Sequence, residues 1–170
     1  MGKKFLAVDL SRMGDEKALA IAAYGESVAA YRYIILSEKS RDTNLRNSFE
    51  EMAAEERGHR DRLQEILQRV APHASFYLSA EDKLAVCVGP RLVDARDDAR
   101  FDEAMRLVIA SEKRTASFYR LFARYAKDDG VKVLFEELAA EGLEHVQRLR
   151  QLFRAAGKDI AEACPVQQLK

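Results

Sequence analysis

Apolar residues recur at alternating three- and four-residue steps in four long stretches of this chain. That is the spacing of an amphipathic helix with one buried stripe. A first helix is predicted from about Asp15 to Ser40, with Leu19, Ala22, Ala23, Ala30, Tyr33 and Ser37 on one stripe and Glu26 in its middle. Asp42 to Asn44 restarts the chain, and a second helix runs to about Val70. Its seam is Leu45, Phe49, Met52, Glu56, His59, Leu63, Ile66 and Val70, a coiled-coil-like spacing that sets a carboxylate and an imidazole among apolar neighbours. A third helix, from about Arg100 to Lys127, aligns Met105, Val108, Ile109, Glu112, Tyr119 and Phe122. After a turn at Asp128 to Gly130, a fourth carries Leu134, Leu138, His145, Leu149 and Leu152 inward to about Ala156, where Gly157 to Asp159 ends it.

Residues 71–99 carry no long periodicity. Pro72 and Gly89-Pro90 interrupt them, and only Ala80 to Val88 suggests a short helix. A connection of this length is too long for a hairpin and suits a crossover travelling along a bundle. The pattern predicts an all-α, antiparallel four-helix bundle over about residues 15–156, with the crossover between helices 2 and 3. A tail over 157–170 completes a single domain of residues 1–170. In the lead-in, Asp9, Ser11 and Asp15 are candidate helix caps.

An internal repeat sharpens this picture. Residues 18–63 align with residues 104–149 at a constant shift of 86, without a gap, and 14 of the 46 positions are identical. They include Glu26/Glu112, Tyr33/Tyr119, Phe49/Phe135, Glu50/Glu136, Glu51/Glu137, Glu55/Glu141, His59/His145 and Leu63/Leu149. Helical composition matches Ala, Glu and Leu by chance, but does not easily bring two of three histidines into register. The chain therefore reads as two copies of a helix pair related by a pseudo-two-fold. Each offers a Glu from its first helix and a His-bearing stretch from its second.

Composition narrows what that constellation does. Lys and Arg number 28, as do Asp and Glu, so the zero net charge gives no general pull toward nucleic acid or an anionic membrane. Cys87 and Cys164 stand far apart in no CxxC pair, which excludes a disulfide framework and a thiolate zinc site. The chain shows no signal-peptide pattern and no membrane-length apolar run, so a cytoplasmic location is expected. Glu26 and Glu112, centred on apolar faces, would each cost several kcal/mol to bury ionised and unpaired. Converging carboxylates also repel one another and take up protons. Two divalent cations would neutralise them and accept two imidazoles. A Glu from each of two helices with Glu-x-x-His from the other two is a recipe for di-iron and di-manganese bundles.

The run from Gly25 to Tyr33, the Glu56-x-x-His59 motif, and Glu112 followed by Phe118-Tyr119 resemble the helices of rubrerythrin-type ferritin-like proteins. The resemblance spans all four helices, roughly residues 15–156. It implies a ferritin-like bundle whose core holds two iron ions, with manganese or zinc as substitutes. The implied metal ligands are Glu26, Glu56, His59, Glu112 and His145, with Glu141 as the sixth candidate. Tyr33 and Tyr119, two turns beyond Glu26 and Glu112 on the same face, read either as core aromatics or as hydrogen-bond donors behind the ligands. The implied activity is non-haem diiron peroxidase or oxidase chemistry, reducing hydrogen peroxide or dioxygen. A homodimer is a common assembly in such proteins.

Two departures bear on that expectation. Rubrerythrins proper carry a rubredoxin-like domain with CxxC pairs. None occurs here, so electrons are expected from an external donor such as a rubredoxin-like protein. The repeat partner of Glu56 is Gly142, so the second Glu-x-x-His is broken. At about 100° per residue, Glu141 sits displaced by one residue's turn from the family position. Thr115 stands where some rubrerythrins place a further carboxylate. Two alternatives stay open: a ferroxidase or iron-handling protein, and a degenerate bundle retained as a structural or interaction module. Glu50, Glu51, Glu136, Glu137 and Glu55 read as a solvated face, His73 as a loop residue, Cys87 as a small buried apolar group and Cys164 as an incidental tail thiol.

Overall fold

A computed structural model describes residues 4–158; Cys164, Pro165 and most of the expected tail lie outside the described residues. The chain begins with a two-stranded antiparallel ribbon, β1 (Lys4–Phe5) and β2 (Val8–Asp9), and a 3-10 turn at Leu10–Arg12. Helix α1 spans Asp15–Lys39 and α2 spans Thr43–Val70. The crossover carries the short α3 (Ala80–Leu84). Helix α4 spans Asp98–Phe122 and α5 spans Asp129–Ala155. The four long helices form the expected bundle, with α1 against α2, α4 against α5, and α1 against α4.

Three of the four long helices start at an aspartate whose carboxylate accepts an otherwise orphaned backbone N–H of the first turn. Asp42 accepts from Leu45, Asp97 from Arg100 and Asp128 from Val131. Asp42 and Asp128 are repeat partners, so the second helix of each copy begins in the same way. Asp15 caps nothing in its own helix. It lies inside the first turn of α1, where its carboxylate accepts the backbone N–H groups of Lys127 and Asp128. That contact ties the start of α1 to the turn entering α5. Helix α4 accordingly ends at Phe122, five residues before the Lys127 expected from sequence. Gly157, at φ 69°, closes α5 in the left-handed conformation, with the Lys158 N–H donating to the Phe153 carbonyl.

The helix directions follow from cross-helix contacts. Tyr33 meets Glu112 while Tyr119 meets Glu26, so α1 and α4 run antiparallel. Down α2, Glu55, His59, Arg62 and Arg69 meet His145, Glu141 and Glu137 of α5 and its capping residue Asp128, in reversed order. Two apolar clusters fill the bundle. One gathers Leu19, Leu63, Phe118, Phe122 and Phe135; the other Leu36, Phe49, Met52, Met105 and Leu149. The polar site lies between them.

Periodicity gave no warning of Arg32. It is 1% exposed, and its guanidinium donates to Ser111 Oγ at 2.7 Å, the Val88 carbonyl at 2.8 Å and the Pro90 carbonyl at 2.5 Å. It also reaches Cys87 Sγ at 3.2 Å, so Cys87 is buried as a hydrogen-bond acceptor rather than as a purely apolar group. These bonds pin the crossover onto α1 and α4 behind the site.

Candidate metal centre

Three carboxylates and two imidazoles meet at mid-bundle. Glu26 (α1), Glu56 (α2), Glu112 (α4) and His145 (α5) are buried, and His59 (α2) is nearly so. They form two groups of three: Glu26, Glu56 and His59, and Glu56, Glu112 and His145. Within each group, one ligand-type atom per residue lies within 4.8 Å of the others. Glu56 belongs to both. Its Oε2 lies 2.9 Å from His59 Nδ1 and its Oε1 lies 2.7 Å from His145 Nδ1. Glu26 Oε2 stands 3.7 Å from His59 Nδ1, and Glu112 Oε1 stands 3.8 Å from His145 Nδ1, as the pseudo-two-fold requires. The two imidazole rings stack with centroids 6.0 Å apart.

Behind this cluster the partners are exchanged between repeats. Tyr33 of the first copy donates to Glu112 Oε1 of the second at 2.6 Å, and Tyr119 of the second donates to Glu26 Oε1 of the first. The outer nitrogens of the histidines are exchanged in the same manner. His59 Nε2 faces Glu141 Oε2 at 2.5 Å, and His145 Nε2 faces Glu55 Oε2 at 2.9 Å. Glu141 therefore stands outside both groups of three, on the far side of His59. Glu55, expected on the solvated face, is 44% exposed yet holds a buried histidine. Its identity with Glu141 in the repeat was the signal that could have found it.

Electrostatics shows how the protein's own groups share charge at the site. Burial pushes Glu26 up to about 8, with the charge of Glu56 adding to the rise. Burial would also raise Glu56, but contacts from Glu26, His145 and His59 outweigh it and hold that group below its ordinary value. Burial alone would depress the histidines. The adjoining carboxylates win, lifting His59 to about 10 and His145 to about 12. Both tyrosines are pushed well above 10 by burial and by the adjacent carboxylates, and so remain donors. At neutral pH the cluster thus balances its carboxylates with protons.

Two atoms escape that balance. Glu56 Oε1 and His145 Nδ1 are buried without a hydrogen-bond partner, although they lie 2.7 Å apart. Their approach lacks hydrogen-bond alignment, and orphaned buried polar atoms are costly. A cation bound by both would satisfy them. With their Nε2 atoms held by carboxylates, both imidazoles keep Nδ1 for the interior, the arrangement common for metal-bound histidine. The donor set fits divalent metal. At position 142 a Cβ would meet Ala116 Cβ at 3.5 Å and Glu112 Oε2 at 3.7 Å, ordinary contact distances beside the second group. Thr115 is turned away and donates to the Val86 carbonyl.

A helical bundle with paired carboxylate–histidine groups at its centre is the architecture of the ferritin-like metalloproteins. The chain belongs to the rubrerythrin family, whose model matches residues 17–98 and 103–168. Among solved structures, a hypothetical protein from Pyrococcus furiosus is similar over 85% of this chain and 93% of its own, with a TM-score of 0.72 and 23% identity. At that identity the likeness speaks for the fold. No curated protein matches the chain. No helix among the described residues is long and apolar enough to cross a membrane.

Proposed function

We propose that this chain is a rubrerythrin-type oxidoreductase that reduces hydrogen peroxide, or dioxygen, at a pair of iron ions, drawing electrons from an external donor. The observation that carries the reading is the sharing of Glu56: its two oxygens face two histidines, each backed by its own carboxylate. Glu26, Glu56 and His59 would hold one ion, and Glu56, Glu112 and His145 the other. Oxygen-rich ligation with two imidazoles suits iron or manganese, and zinc can enter such a site. When bound, the metal pair supplies the two electrons that, with two protons, convert hydrogen peroxide into two waters.

The residues' own work is holding and excluding. Tyr33 and Tyr119 fix one oxygen each of Glu112 and Glu26, which limits the rotation of both carboxylates. The apolar clusters at either end keep bulk water from the bundle axis. Gly142 favours a second reading, iron oxidation and handling, because without a carboxylate there both groups depend on the one shared ligand, Glu56.

Anaerobic loading with ferrous iron, followed by metal analysis and peroxide consumption with a reduced rubredoxin-like donor, tests the reading. Two irons per chain and donor-dependent peroxide loss are expected. Catalytic oxidation of ferrous ion by oxygen, with no peroxide turnover, would select the iron-handling reading. Metal content near zero would leave a structural or interaction module.

A further inference from the structure

The outer face of the site is built as two matching ladders. On one, Glu137 pairs with Arg62 at 2.5 Å, Arg62 reaches Glu141 Oε1 at 3.8 Å, and Glu141 Oε2 meets His59 Nε2. On the other, Glu51 pairs with Arg148, Arg148 reaches Glu55 Oε1 at 3.3 Å, and Glu55 Oε2 meets His145 Nε2. Every rung has its repeat partner: Glu51 with Glu137, Glu55 with Glu141, Arg62 with Arg148, His59 with His145. Each ladder crosses between α2 and α5, so the histidine of one copy is held by the carboxylate of the other.

We infer that Glu55 and Glu141 are crossed positioning residues, each fixing the ring orientation and Nε2–H tautomer of the other repeat's histidine, with Arg148 and Arg62 holding them in place. Two geometric facts support this. Each carboxylate has one oxygen on the imidazole and the other toward an arginine, which fixes its rotation. Each imidazole presents its opposite nitrogen, Nδ1, to the buried carboxylates. An imidazole with Nε2–H committed outward offers an Nδ1 lone pair inward, and outer partners of this kind typically change metal affinity by about 10- to 100-fold. The inference rests on the metal-site reading, and it gives Glu141 a role other than ligand.

Cobalt(II) titration of the full chain, read by its ligand-field absorption, tests it. Wild type is expected to bind two equivalents. Glu141→Ala should weaken one equivalent by about 10- to 100-fold and Glu55→Ala the other. Glu141→Gln and Glu55→Gln keep an acceptor oxygen and should recover part of the loss. Glu141→Ala should add nothing in a His59→Ala background and keep its full effect in a His145→Ala background, with the converse for Glu55→Ala. The far-UV circular dichroism of the metal-free Gln variants should match wild type, so that a loss of affinity is not a loss of fold. Wild-type affinity in both Ala variants overturns the inference while leaving the metal site standing. So does a Glu141→Ala effect that follows His145, which would mark Glu141 as a ligand within its own repeat. Absence of cobalt binding by wild type overturns the metal site and the inference together.

Discussion

The two helix pairs of this bundle differ most where they matter most. α1–α2 and α4–α5 share the aspartate cap of their second helix, histidines, tyrosines and outer carboxylates, yet the first carries Glu56 and the second Gly142. A second contrast is Arg32 against Phe118. Arg32 gathers the crossover through Ser111, Val88 and Pro90, whereas Phe118 packs among Phe5, Phe122 and Phe135. The two copies have diverged at one interior ligand and at one face that only the first must use, to seat a connection. Glu56 turns one oxygen toward each histidine, so a single carboxylate serves both halves.

The largest effect should come from removing what the halves share. Glu56→Ala strips a carboxylate from both groups of three and is expected to abolish iron retention, measured by metal analysis after desalting. Glu26→Ala and Glu112→Ala should each lose metal with helicity preserved by circular dichroism. Full metal retention in either would break the pseudo-symmetric site.

Restoring the missing group should sharpen the comparison next. Ordinary contact distances around a Cβ at 142 leave the helix able to accept a side chain. Gly142→Glu should tighten the weaker cobalt equivalent at least about tenfold, in line with the cost of losing a coordinating group or its partner. Gly142→Ala, which brings no ligand, should leave affinity unchanged and raise metal-free stability by about 0.5–1 kcal/mol through helix propensity.

The pH response should come third and should reverse on metal loading. Folding raises Glu26 to about 8, His59 to about 10 and His145 to about 12. Each group keeps a proton in the fold that the unfolded chain gives up sooner, so stability falls as pH rises. The fall begins above about 4.5 for Glu26 and above about 6.5 for the histidines, and ends at the folded values. Urea midpoints of chelator-treated protein should be lower at pH 9 than at pH 6. With metal bound the order should invert, because cations replace those protons and bind more tightly as pH rises.

The smallest effect should also be the most symmetric. Tyr33→Phe and Tyr119→Phe each remove one buried hydrogen bond to a carboxylate, and each should cost about 1–2 kcal/mol in denaturant unfolding. Unequal costs would show that the two halves hold their carboxylates differently.

The four helices were legible because a stripe at three- and four-residue steps can be satisfied only by burying one helix face. The repeat joined Glu26, His59, Glu112 and His145 into one constellation because register is a property of sequence, and Glu56 entered through its spacing to His59. Pairing across helices was not legible. In a linear reading Glu55 looks like a surface carboxylate and Glu141 like a sixth ligand, and only the antiparallel contact of α2 with α5 brings each onto the other copy's histidine. The end of α4 also moved, since Asp15 takes backbone donors 112 and 113 residues away, which no local pattern encodes.

By itself, the sequence determined which residues lie on the buried faces and which of them recur at a shift of 86. Helical period and repeat register are local and countable. Tertiary structure decided how the copies face each other, and with that the sharing of Glu56, the exchanged tyrosines and the crossed outer carboxylates. Those contacts join residues up to 93 positions apart, and their geometry is set by the packing of helices against one another.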